Sequence, residues 1–350
     1  MLRHLALSLA LSGAFVALSY TLPVDAAPLA DAINEATLAD VPPALTPAAA
    51  TQTLLPATTD SLGWPVIATV PARPNPAIVR LEILLDQAGA SPGVIDGFDG
   101  ENLRKALSAY EMMQGDKPDG IFGPKLRAAL DLPGAVIGTY VITADDVSAI
   151  VPAIPSDYGE MAKLTFLGYT SVAEELAERF HMDQKFFETL NAGVKLVAGE
   201  TVYGAVTGPD RKGAVARIEA DKSARQVRAY DADGHLLVAY PATIGSTATP
   251  SPSGRHTVLA VAHNPTYTYN PDVNFKQGNN DKVLTIPPGP NGPVGSTWID
   301  LSEPTFGIHG TPEPSLIDKA ASHGCIRLTN WDANELAGMV SKGVTVDFLP

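Results

Sequence analysis

Ile308-His309-Gly310-Thr311-Pro312-Glu313-Pro314, a short polar segment, then Ser322-His323-Gly324-Cys325-Ile326-Arg327-Leu328 is the stretch around which the chain is organised. Cys325 is the single cysteine in 350 residues, so it has no internal disulfide partner. A thiol flanked by glycine and two histidines has access and a base within reach, which makes it the best nucleophile in the sequence. Three plainer readings compete: an inert buried cysteine, accidental clustering, and a zinc site built from His309, His323 and Cys325. Gly324 opens the backbone to a ligand, and His323 and Arg327 are poor companions for an inert thiol. A closed zinc site lacks a fourth ligand, so no metal and no other cofactor is expected.

Around this stretch, the last part of the chain has a period of two. Val215, Arg217 and Glu219 alternate, as do Gln226 to Tyr230 and Leu236 to Tyr240, with Asp231-Ala232-Asp233-Gly234 as a hairpin turn between the last two. His235 reads as an exposed strand residue. Short strands punctuated by Gly and Pro, with one late helix from about Trp331 to Met339 capped by Asn330 and followed by Gly343, predict a mostly β sandwich or partly open barrel over 214–350.

The region resembles the YkuD-type L,D-transpeptidase catalytic domain over nearly its full length. The motifs are Gly245-Ser246 with Pro250-Ser251-Pro252-Ser253-Gly254, Pro288-Gly289-Pro290 through Gly295, and His309-Gly310 upstream of Ser322-His323-Gly324-Cys325-Ile326-Arg327. The resemblance implies an enzyme that cross-links peptidoglycan stem peptides. Cys325 attacks the carbonyl of the third residue of a tetrapeptide stem, D-alanine leaves, and an amine of another stem resolves the thioester. Water in place of the amine would make an L,D-carboxypeptidase; an outer-membrane or surface protein is another acceptor.

Amide cleavage needs a nucleophile, a proton shuttle and donors for the developing oxyanion. His309, ending the apolar run Thr305 to Ile308, is the expected shuttle, and in the family a backbone carbonyl, here Gly310, orients it. His323 takes a supporting role, and the N–H groups of Gly324 and Cys325 are the expected oxyanion donors. Arg327 suits a substrate carboxylate or, equally, a structural ion pair. Ser322, Tyr267 and Tyr269 complete the expected substrate side, although aromatics at such spacing also serve packing. Carbapenems are the β-lactams that the resemblance points to as acylating agents. Two other function classes stay open: a wall-directed cysteine peptidase, in which Cys usually precedes His, and a non-catalytic wall-binding protein.

Towards the N-terminus, residues 77–131 carry an internal repeat. Asp96-Gly97-Phe98-Asp99-Gly100 is echoed by Asp119-Gly120-Ile121-Phe122-Gly123, each followed by apolar residues at helical spacing, with Ile78, Leu81, Leu84 and Leu85 in a preceding helix. This three-helix module resembles peptidoglycan-binding domains. Residues 140–207 resemble a lysin motif of βααβ order, with Pro152 to Lys163 inserted; a plain spacer is the alternative, and His181 reads as a helix-end residue. Residues 28–76 are rich in Ala, Pro and Thr and read as an extended tether.

Residues 1–27 combine Arg3 and His4, a short apolar core and the small residues Ala26-Ala27, the pattern of a secretory signal peptide. The apolar core is shorter than the roughly 20 residues of a spanning helix. A multidomain α+β protein of the periplasm is therefore expected, with peptidoglycan peptides and glycan as partners and no membrane span. A net charge of −14 argues against nucleic acid.

Overall fold

The computed structural model describes residues 27–42, 58–59, 65–66, 73–246, 249–273, 275–320, 322 and 324–350. The expected signal peptide up to Ala26 lies outside the described residues, as does His323.

The tether reading fails at its start. Ala27–Glu35 forms helix α1, followed by a 3-10 turn at Leu38–Asp40. Ala30, Ile33, Leu38 and Val41 are buried, and Asn34 clamps the chain ahead: its Oδ1 accepts from the N–H groups of Val136 and Ile137, and its Nδ2 donates to the Ile137 carbonyl. Composition misled because Pro28 sits in the first helical turn, where a missing N–H costs nothing. Farther along, Thr58–Thr59 (β1) pairs with Pro65–Val66 (β2).

The repeat module has the expected three helices, Pro76–Gln87 (α2), Glu101–Met113 (α3) and Pro124–Leu130 (α4), with Gly100 and Gly123 as N-caps. Its two halves are fastened identically. Glu82 accepts hydrogen bonds from the N–H groups of Asp96 and Gly97, and Glu111 from those of Asp119 and Gly120. Gly97 and Gly120 have φ of +78° and +69°, a region that glycine enters without penalty.

Ile137–Val141 (β3) pairs antiparallel with Thr201–Ala205 (β4). Between them come Ala144–Ser148 (α5), Tyr158–Met161 (α6), Val172–Arg179 (α7) and Gln184–Leu190 (α8). Four helices rather than two thus stand between the strands, with α5 ahead of the 152–163 insertion and α6 inside it. This unit and the repeat module share one core that runs from Leu81 and Leu107 to Leu176, Phe187 and Val202.

The C-terminal region is built on Arg217–Asp221 (β5), Gln226–Tyr230 (β6), Leu236–Pro241 (β7), Thr243–Ile244 (β8), Gly254–His263 (β9), Tyr267–Tyr269 (β10), Leu284–Ile286 (β11), Thr297–Leu301 (β12), Gly307–His309 (β13), Ile326–Arg327 (β14) and Thr345–Leu349 (β15). One sheet of nine strands runs β7-β6-β5-β15-β9-β12-β13-β14-β8, and β10–β11 form a separate hairpin. Its two end strands, β7 and β8, are separated in sequence only by Ala242. The sheet must therefore curl until its ends meet, which gives the expected partly open barrel. Its core contains Ile218, Val227, Ile299, Ile308 and Ile326. Helix Asn330–Ala337 (α9) lies against β12 and β13. Its N-cap is Thr329, whose hydroxyl accepts from the Asp332 N–H, rather than the expected Asn330.

The helical part is bonded to this barrel. Ala239 of β7 donates to the Gly89 carbonyl at 2.8 Å, and the Ser91 N–H to the Ala239 carbonyl at 2.9 Å, so residues 89–91 cover the sheet edge. Lys105 of α3 pairs with the buried Asp318 at 2.6 Å, just ahead of the Cys325 loop.

Candidate active site

Strand register places the site. β13 and β14 run parallel, with Ile308 opposite Ile326 and His309 opposite Arg327. Both isoleucines are fully buried in the barrel core. Side chains alternate along a strand, so Gly307, His309, Cys325 and Arg327 share the other face. There His309, Cys325 and Arg327 line one cavity of about 270 Å³ together with Tyr158, Tyr267 and Trp298.

His309 is buried, and its Nδ1 lies 2.7 Å from the Gly310 carbonyl. That contact assigns the proton to Nδ1 and leaves Nε2 as an acceptor. The Trp298 ring stacks on the imidazole at 5.5 Å between centroids. The indole also lies over Gly307, where any Cβ would fall 2.5 Å from the ring. Burial first, and then the Arg327 charge, lower the His309 pKa to about 3.

Cys325 is partly exposed, with Sγ 3.7 Å from the Thr305 carbonyl. Burial raises its pKa, against the opposing effects of the Gly307 backbone and Arg327. At neutral pH the resting pair is thus thiol and neutral imidazole rather than thiolate and imidazolium.

The loop before the thiol is tightly constrained. Gly324 has φ of +104°, and a Cβ there would lie 2.6 Å from the Phe306 ring. Its carbonyl accepts from Ser251 Oγ at 2.6 Å. Ser322, expected on the substrate side, is buried instead: its hydroxyl donates to the Cys325 carbonyl and accepts from the N–H groups of Gly245 and Gly324. The Gly324 N–H, expected at the oxyanion, therefore has an internal acceptor at 3.3 Å.

Tyr267 lines the cavity, whereas Tyr269 is fully buried, with its hydroxyl donating to the Asn280 carbonyl and accepting from the Gln277 N–H. It shares the strand face of Tyr267, and Tyr158, Leu167 and Ile286 pack over it. His235 is exposed beside Asp231, and His181 stacks on Trp331 away from the cavity.

Sequence reasoning missed the second layer. Gly310 and Gly295 both abut the Asn330 side chain, with 2.1 Å between Oδ1 and a Cβ built at either position. Asn330 in turn donates to Glu178 of α7 at 2.9 Å. Burial pushes the Glu178 carboxyl up to about 8, with the Asn330 hydrogen bond opposing. The only signal in the sequence was a glutamate at a buried position of a helix, which the α7 pattern does not single out.

A thiol and a neutral imidazole at one cavity, on a curled sheet, define a site suited to acyl transfer. Residues 215–347 match the family model for the L,D-transpeptidase catalytic domain, and residues 74–130 match that for a putative peptidoglycan binding domain. A putative L,D-transpeptidase YkuD of Bacillus licheniformis is 32% identical over 161 residues, which span 46% of this chain and 81% of that protein. A putative L,D-transpeptidase YkuD of Bacillus subtilis is also 32% identical, over 33% of this chain and 54% of its own length. Among solved structures, the L,D-transpeptidase from Mycobacterium smegmatis aligns with 20% identity and a TM-score of 0.31, covering 43% of this chain and 66% of that one. L,D-transpeptidase 3 from Mycobacterium tuberculosis gives 15% and 0.31, covering 45% and 77%. The chain belongs to the L,D-transpeptidase family.

Proposed function

We propose that the protein is an exported, wall-bound L,D-transpeptidase that joins third residues of peptidoglycan stem peptides through a thioester on Cys325. The observation that carries this reading is that Cys325, immediately before β14, and His309, on the parallel neighbour β13, line one cavity, with the imidazole fixed through Nδ1. The periplasm is the setting that the expected signal peptide and a polymeric wall substrate require.

In this reading His309 Nε2 takes the Cys325 proton as sulfur attacks the donor carbonyl. Burial disfavours both charged forms, so no stored ion pair precedes the reaction and the proton moves as the C–S bond forms. The oxyanion meets the Cys325 N–H. The imidazolium, an acid made strong by burial, then protonates the leaving D-alanine amine as the C–N bond breaks. An acceptor amine attacks the thioester, gives its proton to His309, and the thiol is restored by the same proton.

Arg327, which lines the cavity, orients an anionic group of the donor. The module at residues 74–130 brings the enzyme to the polymer. The experiment is mass spectrometry of muropeptides after incubation with the purified protein. Cross-links between third residues should form with the wild type and vanish in Cys325→Ala; equal yields from both proteins would overturn the reading.

A further inference from the structure

The cavity around Cys325 has one wall that the catalytic region does not supply. Tyr158 belongs to α6, outside both matched segments, yet it lines the same cavity as Cys325, His309 and Arg327. Its ring stands nearly perpendicular to that of Tyr267 at 6.0 Å between centroids, and it meets Tyr269 at 5.3 Å and Phe275 at 6.0 Å in the same manner.

This contact is built rather than incidental. The Tyr158 N–H donates to Gln277 Oε1 at 3.1 Å, Gln277 Nε2 donates to the Ser156 carbonyl at 2.8 Å, and Asn280 Nδ2 donates to Asp157 at 2.9 Å. Farther along, the Leu167 N–H donates to the Pro288 carbonyl and its carbonyl accepts from the Asn291 N–H. Leu167 is fully buried with Tyr269 and Ile286. The insertion thus holds the β10–β11 connection through Gln277 and Asn280, and Leu167 after it holds the chain beyond β11.

The Tyr158 phenol shares its cavity with Arg327 and Cys325. Burial raises the Tyr158 pKa and the Arg327 charge opposes it, so the hydroxyl lies within the guanidinium's field. Tyr267 feels Tyr158 and Cys325 as well as its own burial. Two phenols and a guanidinium beside a thiol form a donor-rich wall, suited to an anion adjoining the scissile carbonyl.

We propose that Tyr158, from the inserted segment, is a substrate-binding residue whose hydroxyl joins Arg327 in holding the terminal carboxylate of the donor stem. The site is then composite, and the catalytic region alone is incomplete. This rests on the transpeptidase reading above.

The test uses the full chain, its Tyr158→Phe and Tyr158→Ala variants, and a donor tetrapeptide in two forms, with a free C-terminal carboxylate and as the C-terminal amide. Two quantities are read: the peptide concentration that half-protects Cys325 from iodoacetamide, and kcat and KM for acyl-enzyme formation. Phenylalanine keeps the ring contacts and removes the hydroxyl. Loss of one hydrogen bond to a charged group should raise the half-protecting concentration and KM of the carboxylate peptide about tenfold. The same variant should raise KM by more than it lowers kcat and move the amide peptide less than about twofold; Tyr158→Ala should weaken both peptides. Wild-type binding of the carboxylate peptide by Tyr158→Phe overturns the proposal, and so does equal weakening on both peptides. If the wild type is neither protected nor acylated, the transpeptidase reading itself fails and takes this role with it.

Discussion

A buried neutral histidine should make the protein sensitive to acid, and His309→Asn isolates that contribution. Asparagine places an amide N–H where Nδ1–H stood, so the bond to the Gly310 carbonyl is retained while the titrating group is lost. His309 has a folded pKa of about 3 against an ordinary 6.5. Between those values the unfolded chain binds a proton that the native state excludes, so stability is complete above pH 6.5 and declines as pH falls towards 3. At about 1.4 kcal/mol per unit, the wild type should lose about 3 kcal/mol from this residue alone between pH 7 and pH 4. The assay is urea unfolding of both proteins at matched pH values, with the difference between the two ΔG curves as the readout, because every other group cancels to first order. The gap should close by about 3 kcal/mol in favour of His309→Asn on acidification, while acyl-enzyme formation is absent in the variant throughout. Parallel curves from pH 7 to pH 4 would refute the reasoning, since they would mean that the imidazole is solvated or charged in the fold.

Glu178 should act in the opposite direction. Its folded pKa of about 8 lies above the ordinary value of 4.5, so the native state keeps a proton that the unfolded chain releases, and stability falls as pH rises from 4.5 through 8. Glu178→Gln should gain on the wild type by about 4 kcal/mol between pH 5 and pH 9 in the same unfolding assay, and no relative gain would refute the burial argument. Residues 214–350 alone, which the sequence suggested as a separable unit, should show a lower Tm by calorimetry and a donor KM well above that of the full chain. That fragment exposes the β7 edge bonded by Gly89 and Ser91, releases Asp318 from Lys105 and loses Tyr158. Full stability and donor affinity in the fragment would show that these contacts are dispensable.

What the sequence made legible was local. The D-G-x-x-G repeat was readable because a left-handed glycine and a following helix are consequences of neighbouring residues, and both turns and helices appear where the pattern put them. The alternation in β5, β6 and β7 was readable for the same reason. The glutamates that bolt those turns, Glu82 and Glu111, were not, because each reaches its turn across a helix–turn packing that no spacing rule encodes. At the N-terminus, an average over Ala, Pro and Thr hid Ile33, Leu38 and Val41, whose burial depends on a groove formed by later residues. Ser322 and Tyr269 are both buried, because position in the sequence does not say what later packs over a side chain: Tyr269 shares the face of Tyr267 yet is covered by Tyr158 and Leu167.

The catalytic motif shows how far this distinction reaches. His309 and Cys325 could be paired from sequence, but the protonation state of the pair could not, because it is set by burial under Trp298 and by the charge on Arg327. The same two side chains in an open, wetter cleft would rest with the imidazole near its ordinary pKa and the thiol more acidic, and the proton would move before rather than during attack. The enclosing wall includes Tyr158, and the glycine behind the imidazole abuts Asn330, which Glu178 holds; both Tyr158 and Glu178 come from the helical part of the chain. Truncation of the Tyr158 ring, or loss of the Glu178 carboxyl behind Asn330, should therefore alter chemistry at Cys325 by changing how much water reaches it.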